Sequence, residues 1–329
     1  MKSKLFHSKL SSDLDASSEI SNAKLVEQFR DKRVRWFSWH ELNLSEPNSI
    51  EKQLLTMLST DMQYRVFRAE SEKLAPGEGL AIPFVVNLSN IAYVLSQVFS
   101  IRRLVDGRAD VISLTRVLSE LKQSRHLITR ENYVSYDGTP YDPTSWQLSA
   151  SSQQIKEHII FGIYAPGLSE YLKSTIRHDL FDSLAGVGSE QRQRTDLIRP
   201  EVFETLEMWI KNSGAKKLIT MSHKYFAHAA QASTIMDTLE DVDLGEIEFT
   251  QRPLVRTSRA IFNIILRSEV ASEPVPMSPL GFFGTVWKED SLIESTCRMQ
   301  KHWDELAKVR NAWAFGIEEE LFGPQIPTA

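Results

Sequence analysis

Apolar residues recur every three to four positions along most of this chain, and no alternating apolar/polar pattern is sustained over several adjacent segments. That periodicity predicts an all-α fold, a helical bundle with helical extensions at both ends. Ile50, Leu54, Leu58, Met62 and Val66 mark a helix of about five turns, with Asn48 and Glu51 in capping-box spacing at its start. The segment 82–106 is more thoroughly apolar: Leu88, Ile91, Leu95, Val98 and Phe99 at helical spacing predict a central buried helix, with Arg102, Arg103 and Asp106 at its far end. Leu114, Val117, Leu118 and Leu121 mark an amphipathic helix. The helix in "RPEVFETLEMWIKNSG" is punctuated by Pro200 in its first turn and Gly214 after its last. Further helices are predicted over 215–231, over 251–270 and around 291–314.

The breaks in this pattern set the organisation. Residues 1–22 are rich in serine and charge, and "VRWFSWHELNL" (34–44) reads as a flap or arm packed on the body, or as an exposed partner-binding patch. Asp-Gly, Thr-Pro and Asp-Pro steps make 133–152 a long loop or insertion. Helical signal resumes at "QQIKEHIIFGIY", breaks at "APG", and continues in "LSEYLKSTIRHDLFDSLAG"; "SEPVPMSPLGFFG" is a proline-rich connection. The expected division is an N-terminal arm, partly disordered, over 1–47, a helical domain over 48–270, and a connection with a C-terminal helix over 271–329.

Composition narrows the classes of function. With 329 residues, 42% of them hydrophobic, the chain can bury a substantial core. A net charge of −5 and a pI of about 6.0 give no global attraction to nucleic acid or an anionic membrane, so a basic site must be local. The single cysteine, Cys297, excludes an intrachain disulfide and fits a reducing cytoplasm. No segment reads as a signal peptide or approaches a membrane-spanning run of about 18 apolar residues, so a cytoplasmic protein without a membrane partner is expected. There is no phosphate loop, dinucleotide fingerprint, His-Glu-x-x-His or nucleophile elbow, and no cofactor is expected. The acidic runs at 239–248 and 318–320 read as solvated surface; the first lacks calcium-loop spacing and a histidine partner, so no metal site is expected. Cys297, Trp303 and Trp313 read as core packing, with oligomerisation through the C-terminal helix as the alternative. Arg103 and Asp106, at i and i+3, can close the helix end as an ion pair, or Arg103 can serve a cleft directly.

The chemistry that remains lies in "SHKYFAHAA" (222–230). At about 100° per residue, Ala215, Leu218, Ile219, Tyr225, Phe226 and Ala229 fall within about 60° of Ser222, which places the serine mid-way across the buried face. Lys216, Lys217, Thr220, His223, Lys224, Ala227, His228 and Gln231 share the other side, a local basic face in an acidic chain. His223 and His228 flank it about 140° apart, with the small Ala227 between them, which suits a cleft better than a chelate. Such a face fits RNA phosphodiester cleavage. A neutral histidine can take the 2′-hydroxyl proton, and a protonated histidine or a lysine can stabilise the phosphorane without a metal. The other reading is the ordinary solvated side of an amphipathic helix.

"HKYFAHA" (223–229) resembles the HEPN signature, Arg-Asn-x-x-x-Ala-His near the start of a bundle helix. With "RLVD" (103–106) and "ISLTRVLSEL" (112–121) in the same order, the chain more narrowly resembles the AbiU-type HEPN family of phage abortive infection over roughly 82–270. The resemblance implies a HEPN-like bundle and a metal-independent endoribonuclease, homodimeric and paired with an antitoxin partner. His228 matches the signature histidine and Lys224 the following lysine, whereas Ser222 occupies the arginine position and His223 the asparagine position. The implied catalytic set is His228, His223, Lys224 and Arg103, with Lys216, Lys217 and Lys224 binding RNA and Asp106, Ser222 and Ala227 supporting. Alternatively the bundle is retained without catalysis, as an RNA-binding, dimerisation or regulatory module.

Overall fold

The computed structural model describes residues 20–41, 46, 48–74, 77, 81–141, 170–226, 243–267 and 292–323, with the backbone alone at 170, 171, 221–226, 292 and 293. It is an all-α structure; among the described residues there is no β-strand, only an isolated bridge between Thr129 and Leu197.

Asn22 caps the first helix, its side-chain oxygen accepting from Leu25 N at 3.1 Å, and α1 runs Ala23–His40. Val26, Phe29 and Trp36 are fully or almost fully buried, so part of the predicted arm is a helix of the core. Helix α2, Ile50–Ser71, is capped by Ser49 rather than Asn48. Glu51, expected to close a capping box, is instead buried, with Arg259 Nη2 at 3.1 Å and His40 Nε2 at 3.4 Å. The His40 ring stacks on Phe262 with centroids 3.8 Å apart.

Helix α3, Pro83–Val105, begins on its proline and runs antiparallel to α2. Tyr64 OH donates to Asn90 Oδ1 at 2.6 Å, Tyr93 OH to Asp61 Oδ1 at 2.6 Å, and Gln97 Nε2 to the Met57 carbonyl at 3.0 Å. Its buried residues are Tyr93, Val94, Gln97, Val98, Ile101 and Leu104. Phe84, Leu88 and Phe99 are 73%, 54% and 47% exposed, which corrects the expectation of a central buried helix. The expectation that no segment approaches membrane-spanning length is corrected too: by length and composition alone, Pro83–Val105 qualifies.

Ser113 caps α4, Leu114–Gln123, whose Leu114, Val117, Leu118 and Leu121 are buried as their spacing predicts. Helix α5, Arg130–Ser135, overlaps the start of the predicted 133–152 loop and is buried throughout. Side chains hold it there: Tyr133 OH donates to the Ile264 carbonyl at 2.7 Å, Asn132 Nδ2 to that of Leu127 at 2.8 Å, and Arg130 pairs with Asp182 at 2.7 Å and Asp196 at 2.8 Å. Residues 142–152 of the predicted insertion and "QQIKEHIIFGIY" lie outside the described residues. Helix α6, Glu170–Ala185, packs on α5.

Helix α7 spans Pro200–Lys211 with its proline in the first turn, and α8 follows as Ala215–Phe226. Helix α9, Leu244–Arg259, starts ahead of the predicted 251 and continues as a π-helical turn, Ala260–Ile265. The end of the acidic run thus enters a helix: Glu248 pairs with Arg65 at 3.3 Å and Arg310 at 3.1 Å. Helix α10, Leu292–Ala312, docks on α2 through Met299 and Trp303 against Met62 and Val66. Trp313 is buried after it, whereas Cys297 is exposed, against the core packing expected of it. Helix α11, Ile317–Phe322, closes the described chain; Glu319 and Glu320 are exposed, whereas Glu318 is half-buried.

Candidate nucleic-acid interface

Helix α8 is set in place by the turn before it. Gly214 has φ +83°, and Ser213 Oγ accepts from Ala215 N at 3.3 Å, so the chain reverses from α7 into α8 within three residues. A Cβ at Gly214 would stand 3.2 Å from Thr250 Oγ1, so the start of α8 lies against α9. Ala215 and Leu218 are buried, Ile219 is half-buried, and Lys216, Lys217 and Thr220 are exposed. Over these residues the apolar and basic faces divide as the angular positions predict.

The basic face is partly neutralised. Lys217 Nζ forms an ion pair with Glu246 Oε1, while Lys216 makes no ion pair among the described residues. Ser222, His223 and Lys224 lie on the last turns of α8, where only the backbone is described, and Ala227 and His228 lie outside the described residues. No side-chain geometry is therefore stated for the histidines.

The direction of α8 follows from its neighbours. Gly214 faces Thr250, and Lys217 faces Glu246, so α8 runs antiparallel to α9. Helix α9 is itself antiparallel to α2, because Arg65 Nη2 donates to the Leu244 carbonyl at 2.9 Å whereas Glu51 meets Arg259. Gln251 Nε2 donates to Gln97 Oε1 at 2.8 Å, which sets the level of α9 against α3. Helix α8, packed on α3, thus runs antiparallel to it, and its last turns lie beside the first half of α3.

That arrangement separates Arg103 from the signature stretch. Arg103 is exposed at the other end of α3, about 20 Å along the axis from the last turns of α8 at 1.5 Å per residue. Within one chain the helix directions set Arg103 apart from position 222. It does not pair with Asp106, whose carboxylate instead takes Arg108, with Arg108 Nη2 at 3.0 Å and the Arg108 backbone N–H at 3.0 Å. Arg108's hydrogen bonds, opposed by partial burial and assisted by its charge, hold the Asp106 carboxyl below its ordinary range.

A charged cluster elsewhere went unread in sequence. Arg177 is buried and donates through Nη1 and Nη2 to the two oxygens of Asp137, at 2.7 Å each, and to the Val134 carbonyl at 2.6 Å. The adjacent His178 is buried with Nε2 2.7 Å from the Tyr141 carbonyl; burial lowers its pKa, more than that contact raises it. "RHD" (177–179) carried the sequence signal; Arg177 and His178 are buried, and Asp137 is half-buried. Among the described residues no three His, Cys, Asp or Glu side chains group as metal ligands. Comparison with protein-family models, with characterised proteins and with solved structures finds no match to this chain.

Proposed function

We propose that this is a HEPN-like, RNA-directed protein of the cytoplasm, acting as a homodimer in phage defence or a toxin system and held in check by an antitoxin partner. One observation carries the reading. In a chain of net charge −5, Lys216 and Lys217 stand exposed on the first turn of α8, whose sequence continues into "HKYFAHA". A basic strip beside a histidine pair is the arrangement that metal-independent RNA cleavage requires.

In this reading Lys216, Lys217 and Lys224 hold backbone phosphates. His228 takes the 2′-hydroxyl proton, the 2′-oxygen attacks phosphorus, and the bond to the 5′-oxygen breaks as that oxygen takes a proton from water, leaving a 2′,3′-cyclic phosphate and a 5′-hydroxyl. His223 or Lys224 stabilises the phosphorane charge; losing one aligned charge of this kind costs about 3 kcal/mol of transition-state stabilisation, so the role needs an occupant.

The second reading is a bundle that binds RNA without cutting it. Serine at 222 favours it, because a hydroxyl supplies no cation, as does the engagement of Lys217 by Glu246.

The test is incubation of purified protein with total RNA in EDTA, beside His228→Ala and His223→Ala. Cyclic-phosphate ends with the wild type alone support the enzyme. RNA binding without cleavage, surviving both substitutions but not Lys216→Ala with Lys217→Ala, supports the binding module. No binding and no cleavage sinks both.

A further inference from the structure

Arg267 is the one non-glycine residue among the described residues with a positive φ, +55°. It comes two residues after the π-helical turn, where Leu266 N donates to the Ile261 carbonyl at 2.9 Å. Arg33 holds this corner from α1, its Nη2 donating to the Leu266 carbonyl at 3.1 Å and to the Arg267 carbonyl at 3.0 Å. A left-handed backbone under a long side chain is strained, and such strain, like π-helical turns, concentrates where ligands are held.

The side chain at this corner has no work in the fold. Arg267 is only 6% exposed, its Nε is sealed from solvent without a partner, and its guanidinium makes no hydrogen bond or ion pair among the described residues. An arginine cannot escape burial by losing its proton, so the site calls for an anion. Two neighbours share the deficit. Asn263, half-buried about one turn earlier in the π-helical segment, has its Oδ1 sealed and unpartnered. Glu318 Oε1 is sealed and unpartnered as well. Arg256 fixes Glu318 beside the end of α9, because it ties the start of α11 down through the Trp313 carbonyl at 3.1 Å, the Phe315 carbonyl at 2.9 Å and the Glu320 carboxylate at 2.9 Å. Burial raises the Glu318 pKa against the opposing charge of Arg267, which moves it toward its neutral, donating form. A guanidinium fork matches the two oxygens of a carboxylate, and an amide and a carboxylic acid each add a donor. A phosphate would bring further oxygens and charge into the same enclosed space with no donor left for them.

We infer that Arg267, Asn263 and Glu318 form a binding site for a small carboxylate, which lies on the Arg267 guanidinium and takes donors from the other two side chains. The site is separate from the α8 face. It is tested by thermal melting of the full chain in sodium acetate against sodium chloride at matched pH and ionic strength. Wild-type melting is expected to rise with acetate, by about 4 °C at a hundredfold excess over Kd. Arg267→Met is expected to lose that response and, in chloride, to melt no lower than wild type, since it exchanges an unpaired buried cation for an apolar side chain of similar length. Glu318→Gln is expected to keep the response, because an amide still donates, and Asn263→Leu to weaken it.

Equal melting of the wild type in acetate and chloride overturns the inference. So does an Arg267→Met protein that melts lower in chloride or fails to fold, which would show the guanidinium serving the fold. An acetate response retained in Arg267→Met places the anion elsewhere, and a larger response to inorganic phosphate than to acetate removes the carboxylate assignment. Lys216→Gln with Lys217→Gln is expected to keep the acetate response whatever it does to RNA binding, so this site and the proposed function fail separately.

Discussion

Arg310 Nη2 lies 2.8 Å from Asp61 Oδ2, and both side chains are buried. Asp61 also accepts from Tyr93 OH at 2.6 Å and Arg65 Nε at 3.0 Å, and Arg310 reaches Glu248 at 3.1 Å, so one carboxylate joins α2, α3 and α10, and Arg310 adds α9. Burial, reinforced by the Asp61 charge, pushes the Tyr93 phenol well above its usual range and keeps it a donor. Removing one member of a buried ion pair leaves its partner charged and desolvated. Arg310→Met is expected to cost about 3 kcal/mol in urea unfolding, the low end for such a loss because Arg65 remains. Arg310→Met combined with Asp61→Leu is expected to cost less than the sum of the two single changes. Additive costs would show that the pair is not coupled.

Acid sensitivity follows from Asp137. Burial alone would raise its pKa, but the hydrogen bonds and charge of Arg177, with Thr139, reverse this and hold it well below the carboxylate range. A depressed folded pKa means that the pair's contribution is complete above the unfolded value of about 3.9 and is lost as pH falls through the folded one. Stability of the wild type is expected to fall on acidification below about pH 4, and Asp137→Asn to flatten that fall while lowering stability at neutral pH. An acid profile unchanged in Asp137→Asn would contradict this.

The turn into α8 tolerates only glycine at 214. With φ +83° and Thr250 Oγ1 at 3.2 Å from an added Cβ, Gly214→Ala meets both a left-handed backbone penalty and a tight contact. The expected loss is about 1–2 kcal/mol in thermal or urea unfolding. Gly188→Ala, where φ is −73° and nothing stands within 4 Å, is the neutral control.

The Lys217–Glu246 pair predicts an asymmetry between neighbouring lysines. Lys216→Gln is expected to weaken RNA binding and reduce the slope of log K against log salt by about 0.7, the value for one single-strand phosphate contact. Lys217→Gln is expected to do less, because RNA must first displace Glu246. Glu246→Gln frees Lys217 and is expected to tighten binding modestly, by at most about 1 kcal/mol, the worth of an exposed pair. Equal losses from both lysines, with no gain from Glu246→Gln, would remove the interface from this face.

Legibility in sequence tracked how local the cause was. Helical periodicity, the Leu114–Leu121 face and the division of α8 into buried Ala215 and Leu218 and exposed Lys216 and Lys217 depend on side-chain spacing along one helix, and spacing is written in the chain. The capping of α2 by Ser49 needed one residue more than spacing supplied, because Glu51 was drawn inward by Arg259 from a distant helix. The predicted loop at 133 starts in a helix for the same reason, since Tyr133 gains its hydrogen-bond partner only when Ile264 is brought against it.

Sequence alone determined that the chain is helical, that its charge is net acidic, and that Lys216 and Lys217 share the polar face of one helix, since each is a property of composition or local period. Only the tertiary structure decided which residues of the apolar α3 are buried, that Lys217 is already paired, and that Arg103 stands at the opposite end of α3 from the last turns of α8. Those outcomes depend on which helices meet and in what direction, and the contacts that set them join residues far apart in the chain.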